Sequence, residues 1–123
     1  MNRPPPKRTR AMAEIRDDRS RGLLVAFEDG EVAGRIAYFT LDAEPAALVA
    51  VHTVVEPAYE GKGIAGALVR EFYALAAREG VPVVPLCPYA AKWAERHPDE
   101  APAAPADLVE AAQAQLAANP ELW

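Results

Sequence analysis

Apolar and polar positions divide the chain into short strand-like runs followed by longer helical stripes. Residues 22–28, with Leu23 to Phe27 apolar, read as a strand. Asp29-Gly30 follows at once and is the two-residue turn of a hairpin, since both central positions of such a turn need positive φ. Residues 31–41 read as the return strand. Their apolar positions alternate only in part, at Val32, Ile36, Tyr38 and Phe39, and Gly34 marks a candidate bulge. Asp42 to Pro45 reads as a turn. Leu48 to Val55 is almost continuously apolar, which predicts a strand buried on both faces, and Pro57 stops it.

The second half changes period. Ile64, Leu68, Phe72 and Leu75 lie on one helical stripe, which predicts a helix from Ile64 to Arg78 or Glu79 with Gly80 as terminator. Val81 to Leu86 reads as a short strand whose prolines, Pro82 and Pro85, limit its backbone pairing. Pro88 suits the first position of a second helix, which makes Cys87 its cap residue, and that helix runs to about Arg96. Residues 100–106 form an Ala/Pro linker. A last helix, within residues 107–123, has Asp107 as cap with Glu110 three residues on, and a thin stripe of Leu108, Ala112 and Leu116. Residues 1–13 carry no packing signal and read as a disordered basic arm, which leaves 14–99 as the domain. The first three strands form an antiparallel meander. The third strand, helix and fourth strand form a crossover, which makes those two strands parallel neighbours. The fold class is therefore α/β (α+β), a single domain with a mixed, mainly antiparallel sheet and packed helices.

Composition narrows the function. At 123 residues there is room for one modest core, because 27 of the apolar residues are alanines. No apolar run approaches the ~20 residues of a membrane span. No apolar stretch follows Arg3, Lys7, Arg8 and Arg10, so no signal peptide is expected. A soluble, cytoplasmic protein without a membrane partner follows. Cys87 has no second cysteine to pair with. His52, His97 and Cys87 are too few for a closed zinc site of Cys and His, and no metal is expected. Residues 1–21 carry seven Lys or Arg against three acids, and the remainder six against fifteen. That acidic body argues against nucleic acid as the main partner and favours cationic small substrates.

The chemistry concentrates in Glu60-Gly61-Lys62-Gly63-Ile64-Ala65. A Gly-x-Gly that leaves a strand and opens into a helix is a ready anion site. Glycine lets the backbone approach closely, the first helical N–H groups have no internal partner, and the helix dipole adds positive charge. Lys62 adds a point charge, and a pyrophosphate is the natural guest. The alternative is that the two glycines only make a tight turn. A P-loop is excluded, because no Gly-Lys-Ser/Thr is present in the required spacing.

The segment Val54 to Val69 resembles the acetyl-CoA signature of the GNAT acetyltransferase superfamily, Arg/Gln-x-x-Gly-x-Gly/Ala. Its glycine and small positions fall on Gly63 and Ala65, and its first position on Glu60. A subgroup of small GNAT-like proteins is a closer match. It has a His-Thr pair, an Glu-Gly-x-Gly loop, a Pro-x-Cys-x-Tyr segment and a His-Pro pair. Here these are His52-Thr53, Glu60 to Gly63, Pro85-Leu86-Cys87-Pro88-Tyr89 and His97-Pro98.

The resemblance implies a GNAT-like fold with acetyl-CoA between two splayed parallel strands. The backbone of Glu60, Gly61, Lys62, Gly63, Ile64 and Ala65 would hold the pyrophosphate, and the strand through Val54 and Val55 would bond the pantetheine. It also implies an N-acetyltransferase whose acceptor is an amine of a small molecule or protein. The C-terminal strand hairpin of full GNAT domains has no signal here.

Three residues are candidates for the transfer. Cys87, at a helix N-terminus, could take the acetyl group, line the thioester pocket, or simply pack. Tyr89, by superfamily analogy, could protonate the CoA sulfur, or be a core aromatic. His52 could accept the amine's proton, or be a core histidine. Tyr89, Trp93 and His97 share one helix face, which reads as packing, and His97-Pro98 as the helix end. A non-catalytic CoA or acyl-CoA-binding module and a protein-interaction module are the rival functions.

Overall fold

The computed structural model describes residues 14–43 and 46–119. The expected arm at 1–13, part of the turn at Asp42 to Pro45, and the end of the chain after Asn119 lie outside the described residues. Among the described residues, five strands form one sheet in chain order: β1 (Glu14–Asp18), β2 (Leu23–Glu28), β3 (Glu31–Thr40), β4 (Leu48–Val55) and β5 (Val83–Pro85). The first four pair antiparallel and β4 pairs β5 in parallel. Helix α1 (Ile64–Glu79) makes the crossover, followed by α2 (Pro88–Arg96) and α3 (Ala106–Ala118).

β1 is not legible in the pattern, because Glu-Ile-Arg-Asp-Asp has a single apolar residue. Pairing along β2 places Ile15 against the core, with Asp17 on the same face and Glu14 and Arg16 exposed, as suits what is an edge strand among the described residues. Its end is fastened to the far side of the domain. The buried Tyr38 hydroxyl donates to Asp17 and accepts from Arg19, and Arg19 pairs with Glu79 at the end of α1. The Asp29-Gly30 turn forms as expected, with φ of 53° and 81°. The bulge falls one residue before Gly34: Ala26 pairs Gly34 and Phe27 pairs Val32, which leaves Ala33 extra.

Two cores flank the sheet. On one face, Leu24, Ala26, Ile36, Tyr38, Leu48 and Ala50 meet Ile64, Leu68, Phe72 and Leu75 of α1 and Ala90 and Trp93 of α2. On the other, Phe39, Val49, Val51 and Val84 meet Leu108 and Ala112 of α3. The last helix thus completes a third layer over the β3–β5 end. Its start differs from expectation. Pro105 is the cap, no side-chain cap bond forms, and Asp107 lies inside the first turn, where its charge suits the helix dipole. β5 is also shorter than the apolar run suggested, since Pro82 and Pro85 restrict pairing.

β4 is buried on both faces only from Leu48 to Val51. There a second bulge intervenes: Ala37 pairs His52 and Tyr38 pairs Ala50, which leaves Val51 extra. Val51 and His52 therefore both face away from α1. Thr53, opposite Ile36, returns to the α1 side.

Candidate active site

β4 and β5 pair only at Leu48–Val83, Val49–Val84 and Ala50–Pro85. The N–H groups of Leu86 and Cys87 both donate to the Ala50 carbonyl at 3.0 Å, and the chain then turns away into α2. β4 continues alone to Val55, so the two parallel strands part at Ala50. Pro57 opens a short 3-10 turn, Pro57–Tyr59, which delivers the chain to the glycine loop.

Gly61 and Gly63 have φ of 81° and 79°, a conformation that L side chains rarely adopt, and a Cβ on either would meet nothing within 4 Å. Gly63 is the N-cap of α1, and the first helical bond runs from the Ala67 N–H to the Gly63 carbonyl at 3.0 Å. The N–H groups of Ile64, Ala65 and Gly66 precede that bond and project from the helix end. Lys62 is exposed, its ammonium 5.5 Å from the Tyr59 ring centre. Val55, Tyr59, Gly61, Gly63, Ala65 and Tyr89 line a groove of about 310 Å3 here, with Glu60, Ile64 and Gly66. Open space at both glycines, helix N–H groups without a partner among the described residues and a cation make a cradle that fits an anion of pyrophosphate size.

Of the candidate catalytic residues, the structure brings Tyr89 to this groove, 44% exposed, with its hydroxyl beside Gly66 of α1. Cys87 is the N-cap of α2 as expected, but its side chain makes no cap bond. It is 4% exposed, and its thiol donates to the Thr53 hydroxyl at 3.2 Å, bridging α2 to β4 on the α1 side of the opening. His52 is exposed on the opposite face of the sheet, away from Cys87. Val54 shares the face of His52, while Val55 shares that of Thr53.

Trp93 and His97 pack. Their rings stack at 4.0 Å, the His97 Nδ1 bonds the Trp93 carbonyl at 2.8 Å, and Tyr73 stacks on Trp93 from α1. Thr53 and Gly66 had no assigned role in the sequence. Thr53 was visible only as the second residue of the His-Thr pair. Gly66 was visible as a glycine inside a helix: a Cβ there would lie 3.6 Å from the Tyr89 hydroxyl and 3.7 Å from the Trp93 ring nitrogen.

Among the described residues, no group of three or more His, Cys, Asp or Glu is placed to hold a metal ion, and no helix is long and apolar enough to cross a membrane. A family model described as GCN5-related N-acetyl-transferase matches residues 24–103, from the core of β2 past the end of α2. The chain belongs to the GCN5-related N-acetyltransferase family. Solved structures of two acetyltransferases are similar to it. One is a ribosomal-protein-alanine N-acetyltransferase from Brucella melitensis biovar Abortus 2308, 25% identical, with a TM-score of 0.51 over 67% of this chain and 63% of that one. The other is an aminoglycoside acetyltransferase from an uncultured soil metagenomic sample, 29% identical, with a TM-score of 0.46 over 50% of this chain and 43% of that one. This chain thus spans less than two thirds of either. No protein of curated function matches it. As a GNAT domain, the chain keeps the strand opening and the glycine loop, and α3 follows the matched region.

Proposed function

We propose that this protein is an acetyl-CoA-dependent N-acetyltransferase acting on an amine of a small molecule or protein. The observation that supports it most is the glycine loop at the end of β4, set beside the opening of β4 from β5 and the Tyr89 groove. When bound, acetyl-CoA supplies an activated thioester. The N–H groups of Ile64, Ala65 and Gly66, together with Lys62, hold its pyrophosphate. The β4 backbone from Val51 to Val55, free of β5, bonds the pantetheine arm. Most of the acceleration then comes from holding the two reactants together, which is worth about 7–11 kcal/mol in favourable cases.

In the transfer, a carbon–nitrogen bond to the amine forms and the carbon–sulfur bond breaks. The amine loses a proton to a base and the departing sulfur gains one. Tyr89 is our candidate for the second role, as an exposed hydroxyl in the groove. His52, an exposed imidazole on the other face of β4, is the candidate base for an amine arriving from that side. Cys87 lines the opening with its thiol engaged by Thr53, which favours direct transfer over a covalent acetyl-cysteine.

The test is incubation with acetyl-CoA and a panel of amines and peptides, with free thiol release and intact mass as readouts. Acetylated acceptor with an unmodified protein supports direct transfer. An added acetyl group lost in Cys87→Ala supports the covalent route. Binding without any acetylation would favour the CoA-binding module instead.

A further inference from the structure

The opening between β4 and β5 holds a hydroxyl that the transfer described above leaves unused. The strands last pair at Ala50–Pro85. Beyond that pair, the first side chains on the α1 side are Thr53 from β4 and Cys87 at the start of α2. They meet across the opening, where the Cys87 thiol donates to the Thr53 hydroxyl at 3.2 Å. A threonine hydroxyl has two lone pairs and one proton. The thiol occupies one lone pair, and the proton is donated to no described residue. Cys87 is buried, but Thr53 is only half-buried, so its proton faces accessible space. Val55, two residues on and on the same face, lines the glycine-loop groove. At a rise of about 3.3 Å per residue, Thr53 lies roughly 7 Å further along β4 from that groove.

A substrate anchored at the loop and laid along β4 therefore passes Val55 and brings its reacting end to Thr53. Two features make this hydroxyl a prepared donor. Threonine is stiff about its first side-chain bond, and a hydroxyl that accepts one hydrogen bond donates another more strongly. We propose that Thr53 donates to the thioester carbonyl oxygen during transfer, with Cys87 as the positioning residue that holds its hydroxyl. This inference rests on the acetyltransferase reading. As the amine nitrogen bonds the carbonyl carbon, an electron pair moves onto the oxygen. Thr53 stabilises that charge and keeps its own proton. The pair returns as the carbon–sulfur bond breaks. The sulfur leaves with the bonding pair and takes a proton from the acid, and the amine's proton goes to the base. A fixed donor aimed at developing charge, in a site that excludes water, is among the strongest devices for such a step.

The test is infrared difference spectroscopy of acetyl-CoA labelled with carbon-13 at the carbonyl, bound to the full chain without any acceptor. The thioester band should lie lower in the unaltered chain and in Thr53→Ser than in Thr53→Val, which keeps the branched shape without the hydroxyl. Cys87→Ala should move it part of the way back up. In turnover of an amine that the unaltered chain acetylates, Thr53→Val should lower kcat by about a hundredfold while the KM for acetyl-CoA changes little, and Thr53→Ser should recover most of the loss. The same band in the unaltered chain and Thr53→Val, or turnover by Thr53→Val within threefold of the unaltered chain, overturns the proposal. Should Thr53→Val not fold, the unaltered chain still decides: a bound band as high as that of acetyl-CoA thioester in an aprotic solvent means that no donor reaches the carbonyl. Binding with an unshifted band removes this inference alone, whereas no binding of acetyl-CoA at all removes the acetyltransferase reading with it.

Discussion

Adding one methyl group at Gly34 or at Gly66 should move stability in opposite directions. At Gly34 on β3, a Cβ would stand 2.8 Å from the Val54 carbonyl oxygen, 3.2 Å from Ile64 and 3.3 Å from Leu68. The first is a backbone atom within the sheet, so the β3–β4 ladder itself must open by several tenths of an ångström. Overpacking of this kind costs about 1–3 kcal/mol. It is offset by up to ~1 kcal/mol, because alanine gives up less backbone freedom than glycine on folding. At Gly66, in the first turn of α1, the nearest atoms would be at 3.6 Å and 3.7 Å, which is ordinary contact. Only the gain remains there, up to ~1 kcal/mol.

For a domain of this size each kcal/mol moves the melting temperature by roughly 3–6 °C. Gly34→Ala should therefore lower it by several degrees, and Gly66→Ala should leave it unchanged or raise it slightly. Urea unfolding at unchanged m-value is the assay. The same packing gives Gly34 a functional reach. Ile64 and Leu68 are the first two residues of the α1 stripe, so a methyl group that displaces them shifts the glycine loop and weakens acetyl-CoA binding. A Gly34→Ala protein as stable as the unaltered chain, or a Gly66→Ala protein that loses as much as Gly34→Ala, would refute this reading.

Tyr73 is pushed up to about 12 by burial, and Tyr38 is also raised by burial and by its bond to Asp17. The native state holds both protons more tightly than the unfolded chain, whose tyrosines titrate near 10. Stability should therefore fall as pH rises above about 10, by up to ~1.4 kcal/mol per pH unit for each group, with the Tyr73 contribution levelling off near 12. Tyr73→Phe should flatten that slope in urea unfolding, and an unchanged slope would exclude Tyr73 as a source. Trp93→Ala should cost about 3–5 kcal/mol, since its buried ring supports Tyr73 and His97. Leu108→Ala should cost about 2–5 kcal/mol if α3 is an integral layer, and a loss below half a kcal/mol would make α3 a dispensable appendage. Iodoacetamide should label the 4% exposed Cys87 only at the rate at which the domain opens, so label uptake faster than amide exchange in α2 would contradict its burial.

The elements with strong local chemistry were legible in the sequence. The Asp29-Gly30 turn, the α1 stripe with Gly80, and Cys87 ahead of Pro88 depend on near neighbours, and each stands where the pattern placed it. β1 was hidden because an edge strand needs only Ile15 to reach the core. The cap of α3 was misplaced because Asp107 and Glu110 match a capping box in spacing, whereas the chain enters the helix from Pro105. In the site, the loop was readable as a run of adjacent residues. The pairing of Cys87 with Thr53 was not, because it depends on register between β4 and α2. The bulge at Val51 is decided by pairing with β3, and it sets which face carries His52 and which carries Thr53.

The most direct test of the central claim is calorimetric titration of acetyl-CoA into the unaltered chain and Ala65→Glu. Ala65 lies in the first turn of α1 and lines the groove. A glutamate there suits the helix dipole, by about 0.3–1 kcal/mol, yet it places a negative charge where the pyrophosphate would sit. The account predicts binding to the unaltered chain, at least tenfold weaker binding to Ala65→Glu, and a melting temperature that does not fall. Equal affinity in the two proteins, or no binding to either, would contradict it.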